Sequence, residues 1–193
     1  MKQVVSAFHN QKLVWVKDRN FLVNPLTDHY PTTTYEILDD VVKSLEKLTD
    51  FSKANKLIGE EDRGGFLVAV MAYYLKKPFG MVKWNPNGLN DGVSVDFRNA
   101  YTEGKMYLSG VEKGDKVILI EDMVDSGGSI IGMIELCKKA EVELIDILVV
   151  AEKEEFQAVA RIKKETGRDI KLLLKFNVSG KTSKVTWIND KIR

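Results

Sequence analysis

Lys116–Ile120 (KVILI) is an almost unbroken aliphatic run, and Glu121-Asp122-Met123-Val124-Asp125-Ser126-Gly127-Gly128-Ser129 follows it directly. A strand that alternates no polar residues is covered on both faces, as an inner strand of a parallel sheet is. The nine residues after it predict a turn that carries two carboxylates off the strand end and opens a helix over Ser129–Ala140. Its glycines let backbone amides approach an anion closely, Ser126 and Ser129 add hydroxyl donors, and the helix dipole favours a phosphate there. A DSG string alone most often does no more than cap a helix. The strand before it and the helix after it set this one apart.

The rest of the chain alternates in the same way. Leu38, Val41, Val42, Leu45 and Leu48 recur at helical spacing over Thr33–Leu48, and Thr33 with Glu36 forms a capping-box pattern. Lys56–Gly59 reads as a strand, Glu60-Glu61-Asp62-Arg63-Gly64-Gly65 as a turn, and Phe66–Leu75 as an apolar helix. Phe79–Trp84, Leu144–Val150 and Lys171–Phe176 read as further strands, Glu154–Thr166 as a helix, and the breakers of Asn85–Gly92 as a loop. The expectation is an α/β fold, a parallel twisted sheet with helices on both faces. Right-handed crossovers then place any ligand beyond the carboxyl ends of the strands.

A length of 193 residues suits one domain, 1–193. Lysine and arginine number 29 against 28 acids, a net charge of +1, so no long-range field gathers nucleic acid. The single cysteine, Cys137, excludes an internal disulfide, and the opening MKQVVSAFHNQKLVWVKDR lacks the pattern of a secretory signal. No apolar run reaches membrane-span length. These features predict a cytoplasmic protein that binds neither nucleic acid nor membrane. Ser179-Gly180-Lys181-Thr182 is not a P-loop, because Lys175 stands where that motif needs glycine, and no GxGxxG follows a strand.

In its strand-turn-helix setting, Glu121–Ser129 resembles the phosphoribosyl-diphosphate signature of type I phosphoribosyltransferases of the purine-salvage type. The resemblance implies that Asp125, Ser126, Gly127, Gly128 and Ser129 cradle a 5′-phosphate, while Glu121 and Asp122 hold the ribose hydroxyls. Gly59–Phe66 looks like the family's pyrophosphate loop, with Arg63 and Gly64 at the leaving group. Lys83 sits where the family often has a basic residue. Tyr101-Thr102-Glu103-Gly104-Lys105 looks like the loop that closes over the site, which brings Tyr101 to the substrate and makes Lys105 a further cation. Mg²⁺ is expected as cofactor, mainly through the substrate, with Glu121 and Asp122 as candidate protein ligands. A homodimer is implied too. The bland reading of Arg63, Lys83 and Lys105 is solvated surface charge, which accounts for most such residues.

The front half resembles adenine phosphoribosyltransferases. Phe21-Leu22-Val23-Asn24-Pro25-Leu26 looks like their hood, so residues 1–32 and the C-terminal segment are expected to form a small lobe over the base. Asp125 points elsewhere, since adenine enzymes usually have Ala there and 6-oxopurine enzymes use the matching Asp to exchange a proton with the base. Adenine enzymes also often carry Glu before the Tyr, where this chain has Ala100, and Glu103 is the candidate substitute. The expected reaction joins a purine to phosphoribosyl diphosphate with release of pyrophosphate, adenine ranking first and hypoxanthine, guanine and xanthine next. Asp125, Arg63, Lys105 and Glu103 are its catalytic candidates. The alternatives are an orotate or pyrimidine enzyme and a non-catalytic sensor of phosphoribosyl diphosphate. Trp187 could wall the base, but a Trp near a chain end is more often simple packing.

Overall fold

Covered on both sides, the KVILI run is the centre of the molecule, with Val117, Ile118, Leu119 and Ile120 fully buried. Successive side chains of a strand go to opposite faces. Ile118 and Ile120 join one apolar cluster, Val117 and Leu119 another. The computed structural model describes residues 1–16, 19–85, 93–98 and 103–192.

In chain order the elements are α1 (Lys2–Phe8), β1 (Leu13–Val16), β2 (Arg19–Leu22), α2 (Tyr35–Glu46), β3 (Lys56–Glu60), α3 (Arg63–Leu75), β4 (Phe79–Lys83) and β5 (Ser94–Arg98). They continue as β6 (Glu103–Ser109), β7 (Lys116–Val124), α4 (Gly128–Lys139), β8 (Glu143–Lys153), α5 (Ala158–Thr166), β9 (Lys171–Ser179) and β10 (Thr182–Ile188). The main sheet runs β10-β9-β8-β7-β3-β4-β6-β5, and β1 with β2 forms a separate antiparallel pair. Its five inner strands are parallel. Antiparallel β10 extends one edge, and β6 with β5 extends the other.

The chain leaves β3 for β4 on one side, then returns to lay β7 on the other side of β3 before continuing to β8 and β9. Strand order therefore reverses between β3 and β7. The helices after these strands go to opposite faces: Leu67, Val68 and Met71 of α3 pack in the cluster of Ile118 and Ile120, and Ile130, Met133 and Leu136 of α4 in that of Val117 and Leu119. Such a reversal leaves a crevice beyond the carboxyl ends of the two strands. Gly59 permits the close approach of α3, because a Cβ there would lie 2.5 Å from the Val68 side chain and 2.7 Å from the Ile120 carbonyl oxygen.

Several boundaries differ from expectation. β7 does not stop at Ile120 but continues through both acids to Val124, with Glu121 opposite Val149 and Met123 opposite Ala151 of β8. α3 begins at Arg63. The helix expected over Glu154–Thr166 is divided at Gln157, whose left-handed φ of 49° ends a 3-10 turn before α5 starts.

The largest correction concerns Glu103 and Lys105, expected in a closing loop and found in β6. Val95, Phe97, Met106 and Leu108 are buried, and this period-two pattern holds β5 and β6 against α4. A Cβ on Gly132 of α4 would lie 3.1 Å from Phe97 and 3.2 Å from Met106. Of the breakers in Asn85–Gly92 only Asn85 falls among the described residues, and Tyr101 lies outside them. Ser179–Thr182 is the tight connection between β9 and β10, with Gly180 at a φ of 64°. The front of the chain is tied to β10, where Gln11 carbonyl oxygen accepts from the Ser183 amide at 3.0 Å and Lys12 bridges Thr182.

Candidate active site

A cavity of about 320 Å³ lies at the β3/β7 reversal, large enough for a small ligand. One side is the β3–α3 junction with Glu60, Asp62, Arg63 and Gly64; the other is the whole Glu121–Ser129 string leading into α4. Asn20, Phe21 and Leu22 of β2, with Trp84 and Lys153, complete the walls.

Both helices direct their amino ends to this cavity. The first amides of a helix have no intrahelical acceptor and carry partial positive charge. Neither α3, capped at Asp62, nor α4, capped at Gly127, has a side-chain cap bond. Gly127 turns the chain with a φ of 82°, and a Cβ there would also press within 2.9 Å of Ile162. From α5, Arg161 Nη1 donates to the Ser126 carbonyl at 2.9 Å and braces the turn from behind. Ser126 Oγ is buried without a hydrogen-bond partner among the described residues. A turn with two helix ends and spare donors is suited to two anionic groups.

The acids are held at the junction. Glu121 is 5% exposed and Asp122 4%. Glu121 Oε1 accepts the Glu60 amide at 2.8 Å, tying the end of β7 to the end of β3. Gly64 leaves room for this carboxyl, since a Cβ there would lie 2.3 Å from Glu121 Oε2. Burial, then the neighbouring carboxylates Glu60 and Asp122, raises the Glu121 carboxyl well above its ordinary range. Burial pushes Asp122 up to about 7, against the pull of the Arg63 guanidinium. Glu60 is likewise pushed up to about 7, first by burial and then by Asp62, while a hydrogen bond from Ser129 opposes the shift.

Two cations line the same cavity. Arg63 Nη2 donates to Asp28 Oδ1 at 2.8 Å. Lys153 ends β8 with its side chain 4% exposed, and its Nζ donates to Asn20 Oδ1 at 2.8 Å and to the Asn20 carbonyl at 3.3 Å. It also pairs with Glu155 at 3.2 Å and lies 5.2 Å from the centre of the Phe156 ring.

Among the expected site residues, Arg63, Gly64, Glu121, Asp122, Asp125, Ser126, Gly127, Gly128 and Ser129 all line the cavity. Lys83, Glu103 and Lys105 are not among its lining residues. Lys105 stands opposite Asp96 in the β5–β6 ladder, and Glu103 pairs with Arg98 at 3.8 Å, both exposed. Trp187 is also outside the lining, in β10 and 39% exposed. Sequence reasoning passed over Asn20, Glu60, Trp84 and Lys153. Glu60 and Lys153 end parallel strands next to the reversal, a position that marks them once the strand order is known; Asn20 and Trp84 carry no such signal.

No group of three or more His, Cys, Asp or Glu among the described residues is arranged to hold a metal ion unaided. Asp122 Oδ2, buried without a hydrogen-bond partner among those residues, is a hard oxygen ligand suited to a hydrated Mg²⁺ that takes its remaining ligands from water and substrate oxygens.

Residues 34–180 match the protein family described as the phosphoribosyl transferase domain. The chain is 32% identical over 159 residues to a hypoxanthine/guanine phosphoribosyltransferase of Methanocaldococcus infernus, covering 82% of this chain and 86% of that protein. It is 29% identical over 178 residues to the protein of the same description from Methanothermobacter thermautotrophicus, covering 92% and 91%. In three dimensions it is similar to adenine phosphoribosyltransferase of Thermoanaerobacter pseudethanolicus, with a TM-score of 0.73 at 21% identity over 91% of this chain and 99% of that one. The Giardia lamblia enzyme solved with 9-deazaadenine is also similar, with a TM-score of 0.72 at 22% identity over 92% and 97%.

Proposed function

Given that this chain belongs to the phosphoribosyl transferase domain family and is a phosphoribosyltransferase, we propose that it transfers a phosphoribosyl group from phosphoribosyl diphosphate to a purine, and that this purine carries a 6-oxo group. The buried Lys153 amine in the cavity wall carries this choice of base. A lysine offers donors and no acceptor. Hypoxanthine and guanine present it with an oxygen at C6, whereas adenine presents another donor. Asp125 supports the same choice, and so do the names of the relatives in the two methanogens. The adenine-first expectation rested on the front half of the chain, and the likeness to adenine enzymes at 21–22% identity speaks to the fold alone.

In the proposed mechanism a purine ring nitrogen bonds to the anomeric carbon as the carbon–oxygen bond to pyrophosphate breaks, with inversion. The turn Asp125–Ser129 holds the 5′-phosphate through the first amides of α4 and the Ser126 hydroxyl. Glu121 and Asp122 accept from the ribose hydroxyls, and Arg63 with the start of α3 receives the leaving pyrophosphate. Asp125 accepts the proton that the base loses, and Lys153 donates to the 6-oxo oxygen by turning to it the N–H that makes the long 3.3 Å contact with the Asn20 carbonyl. Charge separates in the transition state, so fixed donors at the leaving group contribute there most. Mg²⁺, which Asp122 would help to hold through water, would supply positive charge to the leaving group. The site supports this requirement through Asp122 Oδ2, buried in the cavity wall without a hydrogen-bond partner among the described residues. Lys83, Glu103 and Lys105 receive no role in the described arrangement.

The reading extends to a homodimer. α3 turns Phe66, Tyr73 and Tyr74 outward, Tyr73 being 89% exposed, and aromatic residues are enriched in interfaces. Sedimentation at micromolar concentration tests this. No helix among the described residues is long and apolar enough to cross a membrane.

The deciding assay incubates the protein with Mg²⁺, phosphoribosyl diphosphate and, separately, hypoxanthine, guanine, xanthine, adenine and orotate, following pyrophosphate release and nucleotide formation. Turnover of hypoxanthine or guanine with kcat/KM at least tenfold above adenine is expected. Preference for adenine or orotate overturns the choice of base, and no transfer to any of the five bases overturns the assignment of a purine acceptor.

A further inference from the structure

Arg63 is held from outside the cavity. Asp28, which does not line it, accepts from Arg63 Nη2 at 2.8 Å through Oδ1. The other oxygen of that carboxylate is committed to its own turn: Oδ2 accepts the Asn24 amide at 3.1 Å and the Thr27 hydroxyl at 2.7 Å. That turn is rigid, because Asn24 and Thr27 are buried. Asn24 Oδ1 accepts the amides of Leu26 and Thr27 at 2.9 and 3.1 Å, and its Nδ2 donates to Thr27 Oγ1 at 2.7 Å. The next residue, His29, packs edge-on against Phe66 of α3 at 4.7 Å. The turn therefore meets the first turn of α3 at two points.

A guanidinium has five N–H donors in a planar fork. The contact with Asp28 uses only one nitrogen, and among the described residues Asp28 is the only hydrogen-bond partner of the Arg63 guanidinium. With one corner fixed, the side chain keeps its remaining donors for the cavity it lines. Arg63 is 37% exposed and would otherwise sample several rotamers.

We propose that Asp28 is a positioning residue that holds one corner of Arg63 from behind, so that the opposite edge of the guanidinium meets the diphosphate of the substrate. The proposal rests on the reading that Arg63 receives the diphosphate. It gives the Asn24–Asp28 turn a part in sugar-diphosphate binding, although the turn precedes α3 by more than thirty residues.

Steady-state kinetics with phosphoribosyl diphosphate varied and base saturating tests it, using Asp28→Asn, Asp28→Glu, Arg63→Ala, Arg63→Lys and the Asp28→Asn/Arg63→Ala pair. Asp28→Asn keeps the volume but loses an acceptor, and should raise KM for the sugar diphosphate about tenfold, roughly the worth of one partly exposed charged hydrogen bond. It should lower kcat as well, because Arg63 at the leaving group acts most in the transition state, and leave KM for the base unchanged. Asp28→Glu should recover part of the loss. On Arg63→Ala, the Asn change should add nothing, because a residue acting through another is silent without it. Arg63→Lys, with a point charge and no second edge, should lose nearly as much as Arg63→Ala. This arm holds even if the Asp28 variants fold poorly. Asp28→Asn with unchanged or lower KM, or the same penalty with and without Arg63, overturns the proposal. An unchanged KM in Arg63→Ala overturns the reading of Arg63 itself.

Discussion

Replacing Gly64 by alanine tests how β7 and α3 meet. An ideal Cβ at Gly64 would lie 2.3 Å from Glu121 Oε2 and 2.6 Å from both Cδ and Oε1. Ordinary contact between such atoms is about 3.5 Å, so the carboxylate must retreat by about 1 Å. That retreat breaks its 2.8 Å bond from the Glu60 amide. Overpacking a tight site costs about 1–3 kcal/mol, and losing a hydrogen bond to a buried neutral carboxyl about 0.5–1.5 kcal/mol. Removing a helical glycine returns at most about 1 kcal/mol. The net loss is about 0.5–3.5 kcal/mol, or about 1–14 °C in Tm for a chain of this size. Urea unfolding of Gly64→Ala, Glu121→Ala and the double variant closes the cycle. With the Glu121 carboxylate gone, the added methyl has room, and the alanine should be neutral or slightly stabilising. Additive effects of the two changes, or a Gly64→Ala protein as stable as the parent, would refute the argument that this carboxylate is what demands glycine.

Three more expectations follow from the site and the core. Asp122 and Glu60 are raised from 3.8 and 4.5 to about 7, so the folded protein keeps protons that the unfolded chain gives up between about pH 4 and 7. Stability of the ligand-free protein should therefore fall as pH rises through that window and stay low above it, by up to several kcal/mol; thermal melts at pH 5 and 8 check this, and a higher Tm at pH 8 contradicts it. Cys137 is 2% exposed and burial pushes its thiol up to about 12, so the native protein should not react with a thiol reagent over an hour at pH 8, whereas the urea-unfolded chain should react at once. Asp125→Asn should lower kcat by about 10²–10⁴ while moving KM for the sugar diphosphate little; unchanged kcat removes Asp125 from the proton transfer.

The inner sheet was legible because its strands are so consistently apolar: β3, β7, β8 and β9 announce themselves, and the helices between them follow from spacing. The edges were not. β5 and β6 bury Val95, Phe97, Met106 and Leu108 in strict alternation, but the polar residues between them and the breakers before them read as loop. α1 and β1 are short and owe their form to packing against α2 and β10. Within the site, Glu121–Ser129 and Arg63 are contiguous with strand ends and could be found one stretch at a time. Asp28, Asn20 and Lys153 could not, because they come from separate segments and depend on which strands adjoin. Glu103 and Lys105 were read from the resemblance without the ladder that sets them on an exposed strand.

Glu121 and Asp122 belong to β7, paired along its length with β8, rather than to the turn that follows. Confining the backbone of one residue costs about 1–2 kcal/mol of chain entropy. If these acids hold the sugar as proposed, placing them in a loop would subtract that loss from affinity at every encounter. In the ladder it is settled once, when the sheet forms, so each round of catalysis begins with the two carboxylates already immobile.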